Sequence, residues 1–335
     1  MRKKLWIAGA LAGLLVVVFL LLRTPDTDPA AMRAKYGGPP SQFVTLANGL
    51  TVHVRDEGPR DAPALMLLHG SNSDLHTWQP WVERLGGDYR IVRFDQRGHG
   101  LTGGYEGATF ARADFADDVE AVADALGIDR FVLGGNSMGG AIAMQYAIDH
   151  PGRLDGLVLV DAAGAPIEKE GSGNIGFTLL RTPGVGPVVS QVMPRAVFDR
   201  SLRQSITNQD IVTPQMVDRY YELAHYPGNR DATVARFSQP DPAFTDQAVA
   251  GVNVPTLVMW GEADPLIPVS ASDWFAQTLP DARRAIYPGI GHLPMEEAAD
   301  RSAGDVRAFM RGLRTGPQPS QPRQPLIRPL DAGPE

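Results

Sequence analysis

The chain has 335 residues, of which 43% are hydrophobic and 21% charged, with a formal net charge of −7 and no cysteine. That composition supports the core of one large α/β domain carrying an insertion. The negative balance argues against gripping nucleic acid by its phosphates, and the lack of cysteine excludes disulfides, thiolate metal sites and thiol nucleophiles.

The N-terminus reads MRKKLWIAGALAGLLVVVFLLLR, with an uncharged apolar run from Leu5 to Leu22. As a helix, that run would reach roughly 27 Å, close to the hydrocarbon thickness of a bilayer. It is longer than a usual signal-peptide core, and no A-x-A cleavage pattern follows Leu22. The expectation is an uncleaved transmembrane anchor over residues 1–23, with Arg2, Lys3 and Lys4 on the cytoplasmic side. The catalytic domain would then face the periplasm or cell exterior from the inner membrane; secretion after signal cleavage is the alternative. Residues 24–42, rich in Pro, Ala, Gly and charge, read as a linker.

From Phe43 the texture changes. FVTLANGLTVHVRDEG alternates around an Asn-Gly pair, a hairpin signal. Ala64–Gly70 (ALMLLHG) is a short, nearly continuous apolar run, as expected of a strand covered on both faces. Tyr89–Gly100 is a second strand ending in the polar loop DQRGHG, and Phe110–Leu126 an amphipathic helix. FVLGG at 131–135 is the next strand and Ala141–Asp149 the next helix. Leu154–Ala163 and Val254–Asp264 add two strands, Trp274 lies in a helix, Ala282–Gly289 is a last strand, and Glu296–Arg311 a closing helix. Strands alternating with helices predict a doubly wound, mostly parallel sheet over 43–164 and 251–314. Residues 165–250 hold only short helical pieces broken by Pro and Gly, and read as an inserted helical cap. Residues 315–335 form a Pro-rich tail with too little apolar surface to pack, expected to be disordered.

The sequence GGNSMGGAIAM at 134–144 raises the chemical question, because so many glycines should serve a geometry that other residues cannot reach. Gly135-Asn136-Ser137-Met138-Gly139 matches G-x-S-x-G, and it stands where that motif acquires meaning, between a strand and a helix. There the serine is forced into a strained turn with its hydroxyl presented at the sheet's carboxyl edge. A serine nucleophile needs a base, and the base needs an orienting acid. Asp264 follows the strand PTLVMW, and His292 follows the last strand, in the chain order Ser, Asp, His. The catalytic candidates are therefore Ser137, Asp264 and His292. The oxyanion donors are expected to be the backbone N–H of Met138 and that of Ser71, with Asn72 as a substitute.

Other residues compete for roles. Asp161 also ends a strand and is the alternative acid. His69, Asp95, Arg97 and His99 read as loop-shaping groups, and Trp78 and Trp81 as packing for the first helix, although Trp78 could line the pocket. Arg230 and Arg236 could reach an anionic substrate from the cap or lie on a solvated helix face. No phosphate loop is present, and the mechanism calls for no metal or organic cofactor.

From about Phe43 to Leu313 the chain resembles the α/β-hydrolase fold family. The resemblance rests on HGS at 69–71, DQRGHG at 95–100, GNSMGG at 135–140, GEAD at 261–264 and GH at 291–292. It implies a hydrolase acting on a small-molecule acyl substrate. Serine at 137 points away from the branches that use an aspartate nucleophile. GNSMGG with the segment RYYELAHYPGNRDATVAR is similar to the meta-cleavage-product hydrolases, although Leu293 stands where those enzymes usually place tryptophan and the 95–100 loop lacks a Pro-Gly form. Ester hydrolysis through an acyl-enzyme is the leading expectation. Carbon–carbon bond hydrolysis by the same triad is the alternative, and a non-catalytic binding protein on the same scaffold is a third.

Overall fold

The computed structural model describes residues 2–104, 107–167 and 179–314. Apolar or alternating runs bounded by turn residues become strands: β1 (Ser41–Thr45), β2 (Thr51–Glu57), β3 (Ala64–Leu68), β4 (Arg90–Phe94), β5 (Phe131–Asn136), β6 (Leu154–Val160), β7 (Thr256–Gly261) and β8 (Ala282–Tyr287). They form one eight-stranded sheet in the order β1-β2-β4-β3-β5-β6-β7-β8. The Asn-Gly hairpin pairs β1 with β2, and β2 runs antiparallel to β4; the remaining neighbours are all parallel. The parallel strands β3, β5 and β7 are buried at every position, which is why their sequences do not alternate.

Before the sheet lie α1 (Arg2–Leu22) and α2 (Pro29–Tyr36). Between strands come α3 (Gln79–Leu85), α4 (Arg112–Ala125) and α5 (Met138–Asp149). The side-chain period of two divides the core in two. Met66 and Leu68 of β3 pack with Phe115, Val119 and Tyr146 of α4 and α5; Leu65 and Leu67 pack with Trp78, Trp81 and Leu85. Both tryptophans are fully buried, as their packing role predicts, and Trp81 Nε1 donates to Ser302 Oγ at 2.8 Å.

Between β6 and β7 the described residues form only helices: α6 (Gly186–Ser190), α7 (Arg195–Ser205), α8 (Pro214–Ala224), α9 (Asn229–Ser238) and α10 (Asp246–Ala250), with a short 3₁₀ turn. The rest of the expected insertion at 168–178 lies outside the described residues, as does the tail at 315–335. The chain closes with α11 (Ser270–Thr278), α12 (Pro294–Glu297) and α13 (Ala299–Arg314). Phe198, Leu202, Met216 and Val217 of the insertion join the same apolar cluster as Trp78 and Val306 of the core, so insertion and sheet share one interior.

The N-terminal expectation needs correction. Among the described residues no helix is long and apolar enough to cross a membrane. The side chains at 2–5, 7–9, 11, 12 and 15 of α1 lie outside them. The transmembrane anchor at 1–23 is therefore withdrawn, with the periplasmic, extracellular or secreted placement that depended on it. The segment that follows α1 is also held by the folded chain. Thr24 N–H donates to the Gln191 carbonyl at 2.9 Å and Thr27 N–H to the His225 carbonyl at 2.9 Å. Arg230 binds the Thr24 carbonyl at 2.7 Å and pairs with Asp26. Asp28 caps α2 by accepting from Ala31 N–H, and Lys35 and Tyr36 of that helix both bind Glu222 of α8. Residues 24–42 thus carry a helix docked on the insertion.

Candidate active site

The site is assembled where β3, β5, β6, β7 and β8, five consecutive strands of the sheet, end at their carboxyl edges. Ser137 follows β5 with φ 56° and ψ −118°, a conformation that costs on the order of 1–3 kcal/mol unless its surroundings fix it. The surroundings do. Ser137 N–H donates to the Val160 carbonyl at 3.0 Å, and the Ser137 carbonyl accepts from Ala141 and Ala163. A Cβ at Gly139 would stand 2.3 Å from the Leu68 carbonyl, and one at Gly135 would stand 2.1 Å from the Gly139 carbonyl. Helix α5 can start this close to β3 and β5 only without those side chains, which explains the glycines of the motif.

Asp264 and His292 meet as the sequence predicts. His292 Nδ1 lies 2.7 Å from Asp264 Oδ2, with both residues buried. Asp264 Oδ1 accepts from Leu266 N–H at 2.7 Å and Ile267 N–H at 3.1 Å, so its carboxylate is held from two sides. The loop bearing His292 is seated on the end of β7, where a Cβ at Gly261 would stand 1.9 Å from the Gly291 carbonyl. Asn136, next to the serine, donates from Nδ2 to the His292 carbonyl at 3.1 Å and thereby links the two loops. The Ser137 hydroxyl makes no hydrogen bond to the imidazole in this structure. Catalytic hydrogen bonds commonly tighten only when substrate is bound.

Asp161 lies beside this pair and is fully buried, with φ 45°. Its Oδ1 accepts from Gly261 N–H at 2.9 Å. One ligand atom each from Asp161, Asp264 and His292 falls within 4.8 Å of the others. Burial, and next the charge of Asp264, push the Asp161 carboxyl well above the ordinary carboxylate range. Two adjoining carboxylates resist ionising together, which favours the protonated form of Asp161 beside Asp264. Asp264, not Asp161, is bonded to the imidazole.

The candidate oxyanion loop follows β3. A Cβ at Gly70 would stand 3.3 Å from Ser137 Cβ, so the loop runs against the serine. Among the described residues neither Ser71 N–H nor Met138 N–H has a backbone acceptor, as expected of donors kept for a ligand. Met138 opens α5, whose positive end favours a developing negative charge. The loop histidines are accounted for otherwise. Burial lowers the pKa of His69 and keeps it neutral; its Nδ1 donates to the Gly70 carbonyl and its Nε2 accepts from Gln96 N–H. His99 is likewise held neutral by burial. Asp95 accepts from Leu75 and Leu101 N–H and bonds His53, while Arg97 forms a two-armed buried pair with Asp118.

Residues of the insertion that the sequence left open also reach this edge. Arg236 donates to Ser71 Oγ at 2.7 Å, whereas Arg230 holds the N-terminal segment. Arg219 Nε donates to Asp74 Oδ2 at 3.1 Å, and Ser205 offers its carbonyl to His292 N–H at 2.9 Å. No sequence pattern announces these contacts; an arginine on a polar helix face is the only signal.

Residues 63–299 match the model of the alpha/beta hydrolase fold family, and the chain belongs to that family. It is a hydrolase by that kinship. It is 27% identical over 288 residues to the 2-hydroxymuconate semialdehyde hydrolase of Pseudomonas sp. (strain CF600), covering 83% of this chain and 97% of that protein. It is 27% identical over 237 residues to 3-oxoadipate enol-lactonase 1 of Acinetobacter baylyi, covering 71% of this chain and 85% of the relative. Among solved structures it is similar to a membrane phospholipase A described as a novel bacterial virulence factor, with TM-score 0.71, 27% identity, and coverage of 94% of this chain and all of that one. The similarity to meta-cleavage-product hydrolases read from GNSMGG is thus matched among the relatives.

Proposed function

We propose that the protein is a serine hydrolase that cleaves a small carboxylic ester through an acyl-enzyme, beneath a helical cap formed by residues 165–250. The observation that carries the reading is the strained Ser137 on its strand–helix turn, beside a buried, hydrogen-bonded Asp264–His292 pair on neighbouring strand ends. In the proposed reaction His292 Nε2 takes the Ser137 proton as Oγ attacks the substrate carbonyl. Asp264 holds Nδ1–H, fixes the tautomer and stabilises the imidazolium. The N–H groups of Ser71 and Met138 receive the oxyanion. The imidazolium protonates the departing alcohol, and water enters by the same route to release the acid. Every group in this sequence is a protein side chain or backbone N–H, so it needs no cofactor.

Two similarities favour esters: a phospholipase A and an enol-lactonase both carry ester-cleaving names. Similarity to a 2-hydroxymuconate semialdehyde hydrolase supports a second reading, hydrolysis of a carbon–carbon bond next to a ketone by the same residues. Turnover of p-nitrophenyl butyrate against that of a dienoate ketone separates the two. The expected result is ester turnover that vanishes in Ser137→Ala, with the ketone inert. Ester turnover that survives in Ser137→Ala overturns the assignment. A folded wild-type protein that fluorophosphonate does not label returns the scaffold to a binding role.

A further inference from the structure

Thr233 and Arg236 stand one turn apart on α9 and both reach down to the loop after β3. Thr233 Oγ1 donates to Asn72 Oδ1 at 3.2 Å, and Arg236 Nη2 donates to the same oxygen at 3.1 Å. Arg236 Nη1 donates to Ser71 Oγ at 2.7 Å and to Met138 Sδ at 3.3 Å. One guanidinium therefore ties together the two residues whose N–H groups flank the candidate oxyanion pocket. The loop needs such support. Asn72 has φ 56°, in the left-handed region, so its conformation persists only while neighbours hold it.

The charge matters as well as the shape. The hydrogen bonds of Arg236 go to neutral acceptors and its guanidinium packs over the Phe237 ring at 4.6 Å; the Asp241 carboxylate, itself paired with Arg112, acts on it only through its charge. Burial lowers its pKa to about 10, which leaves it charged at neutral pH. A buried cation bonded only to neutral acceptors is costly, and a neutral strut would tie the same atoms without that cost. The cost is explained where negative charge develops, next to Ser71 and Met138.

We propose that Arg236, assisted by Thr233, is the positioning residue of the oxyanion pocket, so that turnover requires α9 seated on the loop after β3. The proposal rests on Ser137 being the nucleophile. Fluorophosphonate labelling of Ser137 in the full-length wild-type chain tests that premise by itself, because its failure sinks the premise whatever Arg236 does. With labelling established on a separate sample, kcat and KM for p-nitrophenyl butyrate and the inhibition constant of butylboronic acid, whose oxygen occupies the oxyanion position, are measured on unlabelled wild type, Arg236→Met, Arg236→Lys and Thr233→Val. The expected result for Arg236→Met is a kcat at least about tenfold lower with KM nearly unchanged, and boronic acid binding weakened in proportion to kcat. Arg236→Lys should recover part of both, and Thr233→Val should lose less than Arg236→Met. Wild-type kcat in Arg236→Met, a loss confined to KM, or unchanged boronic acid affinity overturns the proposal. Should Arg236→Met fail to fold by circular dichroism, the other two variants decide, and wild-type kcat and boronic acid affinity in both overturn it.

Discussion

Asp161 and Asp264 differ by their surroundings, not by residue type. Asp264 takes two backbone N–H donors and an imidazole; Asp161 takes one N–H and is buried against its neighbour. Their substitutions should separate cleanly. Asp264→Asn leaves the imidazole in the wrong tautomer and should lower kcat by about 10⁴-fold. Asp161→Asn keeps a neutral donor beside Asp264 and should leave kcat near wild type; a loss as deep as that of Asp264→Asn would reverse the two roles. Because the folded-state pKa of Asp161 is raised, its contribution to stability is present at low pH and is lost as pH climbs through that raised value. Thermal unfolding followed toward alkaline pH should therefore fall less steeply in Asp161→Asn than in wild type. At this scale the sequence was legible where one residue type in one context has one use. Ser137, Asp264 and His292 each follow a strand in the expected order. Arg236 was not legible, since its partners lie 98 and 165 positions away and nothing local distinguishes it from a solvated arginine.

The elements were read well wherever burial imposes a pattern. All eight strands fall on the segments the sequence marks as strands or hairpin, and β3, β5 and β7 are buried throughout, because a strand covered on both faces tolerates little but apolar residues. The amphipathic helix expected at 110–126 is α4, shorter by two residues at its start, with Asp114 reaching back to the Ala111 N–H at 2.7 Å. Helix α2 was missed within a stretch read as a linker. Eight residues with no buried side chain carry no amphipathic signal; its place is fixed by the Lys35–Glu222 ion pair, the Tyr36 hydrogen bond to Glu222, and the packing of Met32 and Tyr36 against Leu101, Leu223 and Tyr226. The junction of β5 and α5 supplies a test of element packing. Gly139→Ala drives a methyl into the Leu68 carbonyl, which is backbone and cannot yield. The change should cost at least about 2 kcal/mol and should lower the urea midpoint. An unchanged midpoint would mean that α5 can slide away from β3.

Across the whole molecule, insertion and sheet are joined by apolar contact and by one buried charge cluster. Asp74, on the loop after β3, receives Arg219 of α8 at 3.1 Å and His76 at 2.6 Å. Burial alone would raise the Asp74 carboxyl, but the Arg219 charge and the His76 hydrogen bond outweigh it and hold the group far below the ordinary range. A depressed folded value stabilises at neutral pH, and the gain is lost as pH falls through the unfolded carboxylate range toward that value. Asp74→Asn leaves Arg219 buried without its counter-charge and should cost about 3–5 kcal/mol at pH 7. Between pH 7 and 3 its unfolding temperature should drop less than that of wild type; parallel curves would show that the pair does not govern docking. The family and the mostly parallel sheet were within reach of the sequence; the order of its strands came from the structure. The placement relative to a membrane was not, because it was drawn from the hydropathy and flanking charges of one N-terminal run.

The serine and its base also have different birthdays. Ser137 is in place once β5 and α5 have folded, but the imidazole comes from the loop after β8, the strand that closes the far edge of the sheet, 155 positions later. A nascent chain, or one clipped ahead of β8, carries the nucleophile without the partner proposed to activate it. On the proposed mechanism such a chain would not turn over esters, and activity would require β8 and the loop that follows it.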